Sequence, residues 1–233
     1  MKRIAIMGTG SVGQAYASKF ITLGYEVMLG TRKVQEKLAD TAKDGYGNPP
    51  FIDWYSANKN VKLGTFQEAA FFGEIILNAT MGSKSIAALK MADEKNLNGK
   101  ILIDVANPLD FSKGLPPGLL PELSNTNSLG EEIQNTFPDV RVVKTLNTMW
   151  NGLMVNPAML NGGDHTAFIC GNSSEAKKTV KEILKSFGWT EKNILDLGDI
   201  SSARGTEMYL PLWLRIFGAT NNGAFNIKIV SLK

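Results

Sequence analysis

The stretch KRIAIMGTGSVG at residues 2–13 decides the fold. A short apolar run comes first, followed by the spacing Gly8-x-Gly10-x-x-Gly13 at the start of a segment with helical periodicity. In such a strand–turn–helix unit, Gly8 permits the tight turn, Gly10 lets a pyrophosphate approach the backbone, and Gly13 lets helix and strand pack closely. Free N–H groups at the helix N-terminus favour the phosphates. The predicted phosphate-binding residues are Gly8, Thr9, Gly10, Ser11, Val12 and Gly13.

The main rival for a glycine-rich turn is the phosphate loop of nucleotide hydrolases. That motif needs Lys and then Ser or Thr after its last glycine, whereas this chain has Gln14 and Ala15. Nucleotide hydrolysis is therefore disfavoured. The alternative that stays open is a glycine turn that binds no ligand.

Short β-branched runs and longer helical segments alternate along the rest of the chain, which is typical of βαβ units on a parallel sheet. With 233 residues, 43% of them hydrophobic, the chain can bury one or two cores. We predict an α/β fold, a Rossmann doubly wound parallel sheet with a small C-terminal α/β extension. The predicted strands are 2–7, 25–30, 61–63, 74–80, 100–105, 141–146, 166–170 and 225–230. The predicted helices include 11–23, 34–43, 66–72, 84–94, 129–136 and 201–217.

The end of the second predicted strand favours a phosphorylated dinucleotide. An NAD site normally has Asp or Glu here to accept from the ribose 2′-hydroxyl, but this chain has Gly30-Thr-Arg-Lys33. Thr31 can donate a hydroxyl, and Arg32 can bind a 2′-phosphate through its planar guanidinium. We therefore predict NADP(H) as cofactor. Lys33 and Lys37 are candidate phosphate partners, with ordinary surface lysines as the alternative.

The nicotinamide half of the dinucleotide is expected at the ends of the fourth and fifth predicted strands, because open α/β sheets bind ligands at their carboxyl edge. Small residues there leave room for a flat ring. Thr80 and Asn107 can hydrogen-bond to the ligand, although both can equally cap a helix or turn. The residues predicted at this end are Ala79, Thr80, Met81, Ala106, Asn107 and Pro108. The loop 107–120, rich in Gly and Pro, is predicted to be an irregular wall of the pocket.

Composition excludes several other classes of protein. Lys and Arg exceed Asp and Glu by only 25 to 22, so the chain lacks the basic stripe of a nucleic-acid-binding protein. With Cys170 and His165 as the single residues of their types, neither a disulfide nor a Cys/His metal site can form within the chain. No apolar run approaches the roughly 20 residues that span a membrane, and none resembles a signal peptide. We expect a cytoplasmic protein that binds no metal, membrane or nucleic acid.

No side chain is predicted to act as a catalytic acid, base or nucleophile. His165 falls in a predicted turn and Cys170 in an apolar strand. Transfer of a hydride between two rings depends on stacking and orientation more than on a strong acid or base. The residues therefore suit a cofactor-dependent redox reaction with a small-molecule hydride acceptor.

A homodimer is predicted from residues 201–217, which are apolar nearly all round. A second subunit would cover this helix together with the predicted strand 225–230. The alternative is burial within one chain.

Four segments resemble the family of NADP-dependent coenzyme F420 reductases, and the resemblance runs over essentially the whole chain. They are residues 1–32 with GTGSVG and TR, DVANPL at 104–109, KTLNT at 144–148, and LGDISSARGTEMYLPLWL at 197–214. The resemblance implies an NADP-binding Rossmann domain at 1–146, and a small domain at 147–233 that closes the cleft and contributes to dimerisation. It also implies hydride transfer between NADP(H) and a deazaflavin. A related branch, the cytosolic domain of membrane metalloreductases, passes hydride from NADPH to a flavin.

By position, Asn147, Thr148 and Trp150 fall where the family's deazaflavin pocket is entered. Asn147 stands where relatives that use F420 can carry His, and residues 149–154 depart from their pattern. F420, FMN and FAD therefore all remain candidate acceptors. The alternatives are an NADPH-dependent reductase of another small molecule, such as an imine or a hydroxyacid, and a non-catalytic NADP(H)-binding redox regulator. For Trp150, simple core packing is the alternative to substrate binding.

Overall fold

A computed structural model describes residues 2–43 and 47–232. Its centre is a sheet with strand order β10-β9-β8-β5-β4-β1-β2-β3, in which every neighbouring pair is parallel except β8 and β9. The strands are β1 (Arg3–Met7), β2 (Glu26–Thr31), β3 (Val61–Thr65), β4 (Ile75–Asn78), β5 (Ile101–Asp104), β8 (Arg141–Thr145), β9 (Ala167–Cys170) and β10 (Ile194–Asp196); a separate hairpin joins β6 (Leu109–Asp110) to β7 (Gly118–Leu119). The α/β class and the doubly wound, mostly parallel sheet are therefore confirmed.

Helices cover both faces of the sheet. They are α1 (Ser11–Thr22), α2 (Val34–Ala39), α3 (Phe51–Ala57), α4 (Phe66–Phe72), α5 (Ser85–Met91), α6 (Glu94–Leu97), α7 (Leu129–Thr136), α8 (Asn151–Val155), α9 (Ser174–Phe187), α10 (Ala203–Met208) and α11 (Leu210–Thr220). Within the described ranges, no helix is both long and apolar enough to span a membrane.

Two apolar layers, one on each face, hold the helices to the sheet. In the first layer, Phe20 of α1 packs edge-on against Phe187 of α9 with ring centroids 5.2 Å apart, and Tyr16 approaches the same ring at 5.8 Å. The four residues Ile4–Met7 of β1 are completely buried, as expected for a central parallel strand covered on both faces. The chain therefore packs its first helix directly against one from its last third.

Four predicted elements are wrong in detail. Residues 225–230 form no strand, because only one of their three bonds to Thr166 joins two main chains: the Thr166 N–H donates to the Ile227 carbonyl at 2.9 Å. The other two use side chains, since the Ile229 N–H donates to the Thr166 hydroxyl at 3.1 Å and the Asn226 amide donates to the Thr166 carbonyl at 2.9 Å. The predicted helix 201–217 is two helices, since Pro211 lacks the N–H that would continue α10 and stands in the first turn of α11. Helix 34–43 ends at Ala39, and the loop 107–120 contains the hairpin β6–β7.

The strand β10 was missed, since its three residues are too few to show a periodic pattern. Together with β9 it continues the same sheet beyond β8. The division at residues 146 and 147 stays a prediction, and the strands on its two sides share one sheet.

Candidate dinucleotide and acceptor site

The glycine-rich turn lies between the end of β1 and the start of α1. Gly8 has φ +116°, and a Cβ there would lie 2.6 Å from the Ala79 carbonyl oxygen. A Cβ at Gly13 would collide with the Gly8 carbonyl oxygen. These two glycines therefore have the backbone roles that the spacing predicts. Gly10 differs from both, because a Cβ at this position would meet no atom within 4 Å.

The open space in front of Gly10 is where a phosphate would approach the helix. Gly10 is the N-cap of the 12-residue α1, has no side chain to satisfy the helix N–H groups, and is followed by a first turn without acidic residues. Thr9, Gly10 and Ser11 line a cleft of about 520 Å³. Val12 does not line this cleft and packs against the core instead. The residues present thus fit a pyrophosphate.

A second cleft of about 460 Å³ follows the end of β2 and is lined by Thr31, Arg32, Lys33, Glu36, Lys37 and Asp40. Both clefts are lined by Lys37 and Asp40, so they form one continuous surface. The Lys33 ammonium lies 2.5 Å from Glu36, and the Lys37 ammonium lies 3.1 Å from Asp40. The Ala42 N–H and the Lys37 ammonium both donate to Asp40 and lower the pKa of its carboxyl, which keeps it charged beside Lys37.

Arg32 is exposed and forms no ion pair with any residue in 2–43 or 47–232. Its guanidinium is therefore available for an external anion, whereas the two lysines are already partly neutralised. Four residues are predicted for the 2′-phosphate. Among the three cations of this set, Arg32 alone has no acidic partner within the described residues, whereas Lys33 and Lys37 each have one.

At the end of β4, Thr80 is held by a buried polar group. The Asn78 side-chain oxygen accepts from the Thr80 hydroxyl at 2.7 Å, and the hydroxyls of Thr80 and Ser85 lie 2.8 Å apart. The Thr80 hydroxyl therefore donates its proton to Asn78 within the protein. This corresponds to the alternative role in capping that the sequence left open. Ala79 presents its carbonyl to Gly8, and Met81 is 57% exposed. Sequence analysis missed Asn78 and Ser85.

At the end of β5, Asn107 and Asn147 form a reciprocal pair, which we call the asparagine pair. The Asn107 amide donates to the Asn147 backbone carbonyl, and the Asn147 amide donates to the Asn107 side-chain oxygen, both at 2.8 Å. Ala106 and Pro108 are buried beside it. A Cβ at Gly82 would collide with the Asn107 carbonyl, so this glycine lets the loops after β4 and β5 touch.

The segment after β8 carries strain and unsatisfied polar atoms. Leu146 has φ +56°, a left-handed conformation that costs a branched residue about 1–3 kcal/mol. The side-chain oxygens of Asn147 and Thr148 are buried and have no hydrogen-bond partner among the described residues. Such features cluster at ligand sites, where the surrounding structure maintains them.

Trp150 is 40% exposed, so complete core packing, the alternative to substrate binding, does not hold. It is the N-cap of α8, and its ring lies so close to Gly152 that a Cβ there would collide with it. Only a glycine at position 152 therefore leaves room for the Trp150 ring in this position.

Behind the site lies a buried ion triad that sequence analysis also missed. The Lys144 ammonium lies 2.8 Å from Asp104 and 2.7 Å from Glu207, and all three side chains are completely buried. Burial alone lowers the pKa of Lys144, but the two adjacent carboxylates outweigh it and raise that pKa. Burial raises the pKa of Glu207, opposed by Lys144.

The single histidine and cysteine are structural residues. The His165 Nε2–H donates to the Pro157 carbonyl at 3.0 Å, and its Nδ1 accepts from Asn226 at 2.8 Å. Its ring packs edge-on against Trp189. Burial raises the pKa of the Cys170 thiol to about 12, which leaves it unreactive.

Three comparisons with known proteins place this geometry in a family. The family model described as NADP oxidoreductase, coenzyme F420-dependent, matches residues 3–108. The crystal structure of a candidate F420-dependent NADP-reductase from Arthrobacter sp. FB24 is 48% identical, with a TM-score of 0.92 over 99% of this chain and 100% of that chain.

Two further matches are less similar. The metalloreductase STEAP3 of Rattus norvegicus is 29% identical over 218 residues, which are 91% of this chain and span only 38% of the length of that relative. An imine reductase from Bacillus cereus, 16% identical with a TM-score of 0.61 over 95% of this chain and 62% of that chain, shares the fold alone. From the closely similar Arthrobacter structure and the family model together, the chain belongs to the family of coenzyme F420-dependent NADP oxidoreductases.

Proposed function

We propose that this NADP-dependent oxidoreductase transfers a hydride between NADPH and a deazaflavin- or flavin-type ring, bound at the carboxyl edge of the sheet. The observation that carries the proposal is an open backbone at Gly10 on the same continuous surface as the unpaired Arg32. A flat anionic dinucleotide with a 2′-phosphate suits both features.

In this proposal the cofactor extends along one edge of the sheet. The turn Gly8–Gly13 holds the pyrophosphate, and Thr31 and Arg32 bind the 2′-phosphate with Lys33 and Lys37 beside them. The segments 79–81 and 106–108 lie along the nicotinamide end. When bound, NADPH supplies the hydride. The chain itself positions the two rings and excludes water from between them.

We propose that the acceptor lies against Asn147, Thr148 and Trp150. The half-exposed indole of Trp150 offers an aromatic face for stacking. The unsatisfied oxygens of Asn147 and Thr148 lie in the same segment, where a modest movement on binding would give them donors. We assign no catalytic acid or base, since both nitrogens of His165 are already hydrogen-bonded. In this proposal residues 147–233 close the cleft over a domain formed by 1–146.

The acceptor class is tested by anaerobic NADPH oxidation with F420, FMN, FAD and a ferric chelate. We expect rapid, saturable oxidation with one of the ring acceptors and slower oxidation of NADH. The Trp150→Ala variant should raise the KM for that acceptor while leaving NADPH affinity unchanged. Tight NADPH binding without turnover of any ring acceptor would contradict hydride transfer and favour a regulatory role.

The 2′-phosphate assignment is tested by Arg32→Asp, with Lys33→Asp as the matched control. Loss of the guanidinium should weaken NADPH binding about tenfold or more, because a charge-assisted hydrogen bond contributes about 1.5–3 kcal/mol. Binding of NADH should change little. The control should lose less, since Lys33 is already paired with Glu36. Titration of protein fluorescence gives both dissociation constants, and equal losses for the two cofactors would refute the assignment.

The pyrophosphate assignment is tested by Gly10→Ala. The new methyl group meets no protein atom, so Tm should stay close to the wild-type value while NADPH binding is lost or strongly weakened. Gly205→Ala in α10 is the control, because a Cβ there also meets no atom and lies outside the proposed site. Unimpaired NADPH binding by Gly10→Ala would show that phosphate does not approach the backbone here.

We also propose a homodimer through α11. Leu212 and Phe217 are 56% and 41% exposed, and Trp213 stacks between Phe217 and Phe225 at 5.6 and 5.3 Å. A helix with exposed apolar side chains is stabilised when a second copy covers it. Light scattering should give about twice the chain mass of 25.3 kDa, and Leu212→Glu should shift it toward the single-chain mass. A single-chain mass for the wild-type protein at micromolar concentration would contradict the dimer.

A further inference from the structure

We propose that the buried triad of Asp104, Lys144 and Glu207 is a positioning unit for hydride transfer: it fixes the segments that face the nicotinamide and the acceptor. This inference rests on the proposed function. None of the three side chains reaches the surface, so they act through their neighbours.

The first link runs from Lys144 to the end of β5. The ammonium donates to the Ala106 carbonyl at 2.5 Å as well as to Asp104 at 2.8 Å. Ala106 immediately precedes Asn107, one member of the asparagine pair. The position of Asn107 is therefore fixed by a charged group in the core.

The second link runs from Asp104 to the end of β4. One carboxylate oxygen of Asp104 accepts from the Asn78 amide at 2.9 Å and from the Ala106 N–H at 3.2 Å. Asn78 in turn holds the hydroxyl of Thr80. The two loops proposed for the nicotinamide thus share a single anchor.

The third link is along β8 itself. Lys144 lies two residues before the strained Leu146 and three before Asn147, the other member of the asparagine pair. Both members of the pair are therefore attached to the triad, one through the Ala106 carbonyl and one through the chain. Because Lys144 is held in the core, the chain entering the left-handed residue Leu146 is held in place as well.

The fourth link holds the triad from the far side. Glu207 of α10 accepts from the N–H groups of Leu129 and Gly130 at 2.8 and 3.1 Å, in addition to its pair with Lys144. Its carboxylate therefore caps the N-terminus of α7 while it orients Lys144. The Glu207 carboxylate thus joins three elements, α7, α10 and β8, at a single buried point.

Stability alone is a poor reason to bury these charges. Removing ions from water is costly, and apolar replacements of buried ion pairs are often neutral or stabilising. What apolar side chains cannot supply is the directional donor to the Ala106 carbonyl and the directional acceptor for Asn78. These two hydrogen bonds are the ones that hold the loops after β5 and β4, which form the proposed nicotinamide site.

The test compares Lys144→Met with the triple variant Asp104→Leu/Lys144→Met/Glu207→Gln, which removes both the donor to the Ala106 carbonyl and the acceptor for Asn78. The single variant leaves two unpaired carboxylates and is expected to be unstable, whereas the triple variant carries no buried charge. Glu131→Gln is the matched control: it breaks the Arg204–Glu131 pair, which joins the same helices α7 and α10, without touching Lys144.

We expect the triple variant to keep a urea midpoint near that of the control while its kcat falls about 10- to 100-fold, because small misplacements of reacting rings are costly. Its dissociation constant for NADPH should stay close to the wild-type value, since the contacts at Gly10 and Arg32 do not depend on the triad. A triple variant with the kcat of the control would overturn the proposal, as would an equal loss in NADPH affinity.

A readout without ligand separates this proposal from the proposed function. Amide hydrogen exchange in the triple variant should accelerate at 79–82, 106–108 and 146–150 and stay unchanged at 8–13. If the exchange rates changed equally in all of these segments, or in none of them, the positioning role would be overturned even if the wild-type enzyme turns over. Absence of wild-type turnover, with exchange changed as expected, would refute the proposed reaction and leave the anchoring of the loops standing.

Discussion

Close approach of backbone segments at the carboxyl edge of the sheet is the constraint on which the whole site depends. The turn after β1 lies against the Ala79 carbonyl, and the loop after β4 lies against the Asn107 carbonyl. Neither contact leaves room for a Cβ at Gly8 or Gly82. Three strand ends are thereby brought together, and a parallel sheet supplies the rest, because it aligns the ends of strands that are distant in sequence.

Two cations at this edge have opposite environments and, in our account, different tasks. Arg32 is exposed and unpaired within the described residues, which suits recognition of a ligand phosphate. Lys144 is completely buried between two carboxylates, which suits permanent fixation of the backbone. The proposed hydride transfer would use both, since the cofactor must be recognised at one end and its ring must be held still at the other.

Patterns local in sequence predicted most of the fold and the backbone geometry of the glycine-rich turn. The glycine spacing gave the turn, and the absence of an acidic residue after β2 pointed to a 2′-phosphate. The triad could not be found this way, because Asp104, Lys144 and Glu207 are far apart in the chain and meet only in the folded core. The same holds for residues 225–230, where alternating apolar residues resemble a strand, but only one of their hydrogen bonds to Thr166 joins two main chains and the others use side chains. The break between α10 and α11 was foreseeable from Pro211.

In the proposed reaction, a hydride passes directly from the cofactor to an acceptor ring held at this edge of the sheet. The most direct measurement is a single turnover with NADPH deuterated at both C4 positions, followed by the absorbance of the acceptor. We predict a slower transfer than with unlabelled NADPH and, with a deazaflavin as acceptor, deuterium on its ring by mass spectrometry. Equal rates and a product free of deuterium would contradict direct transfer.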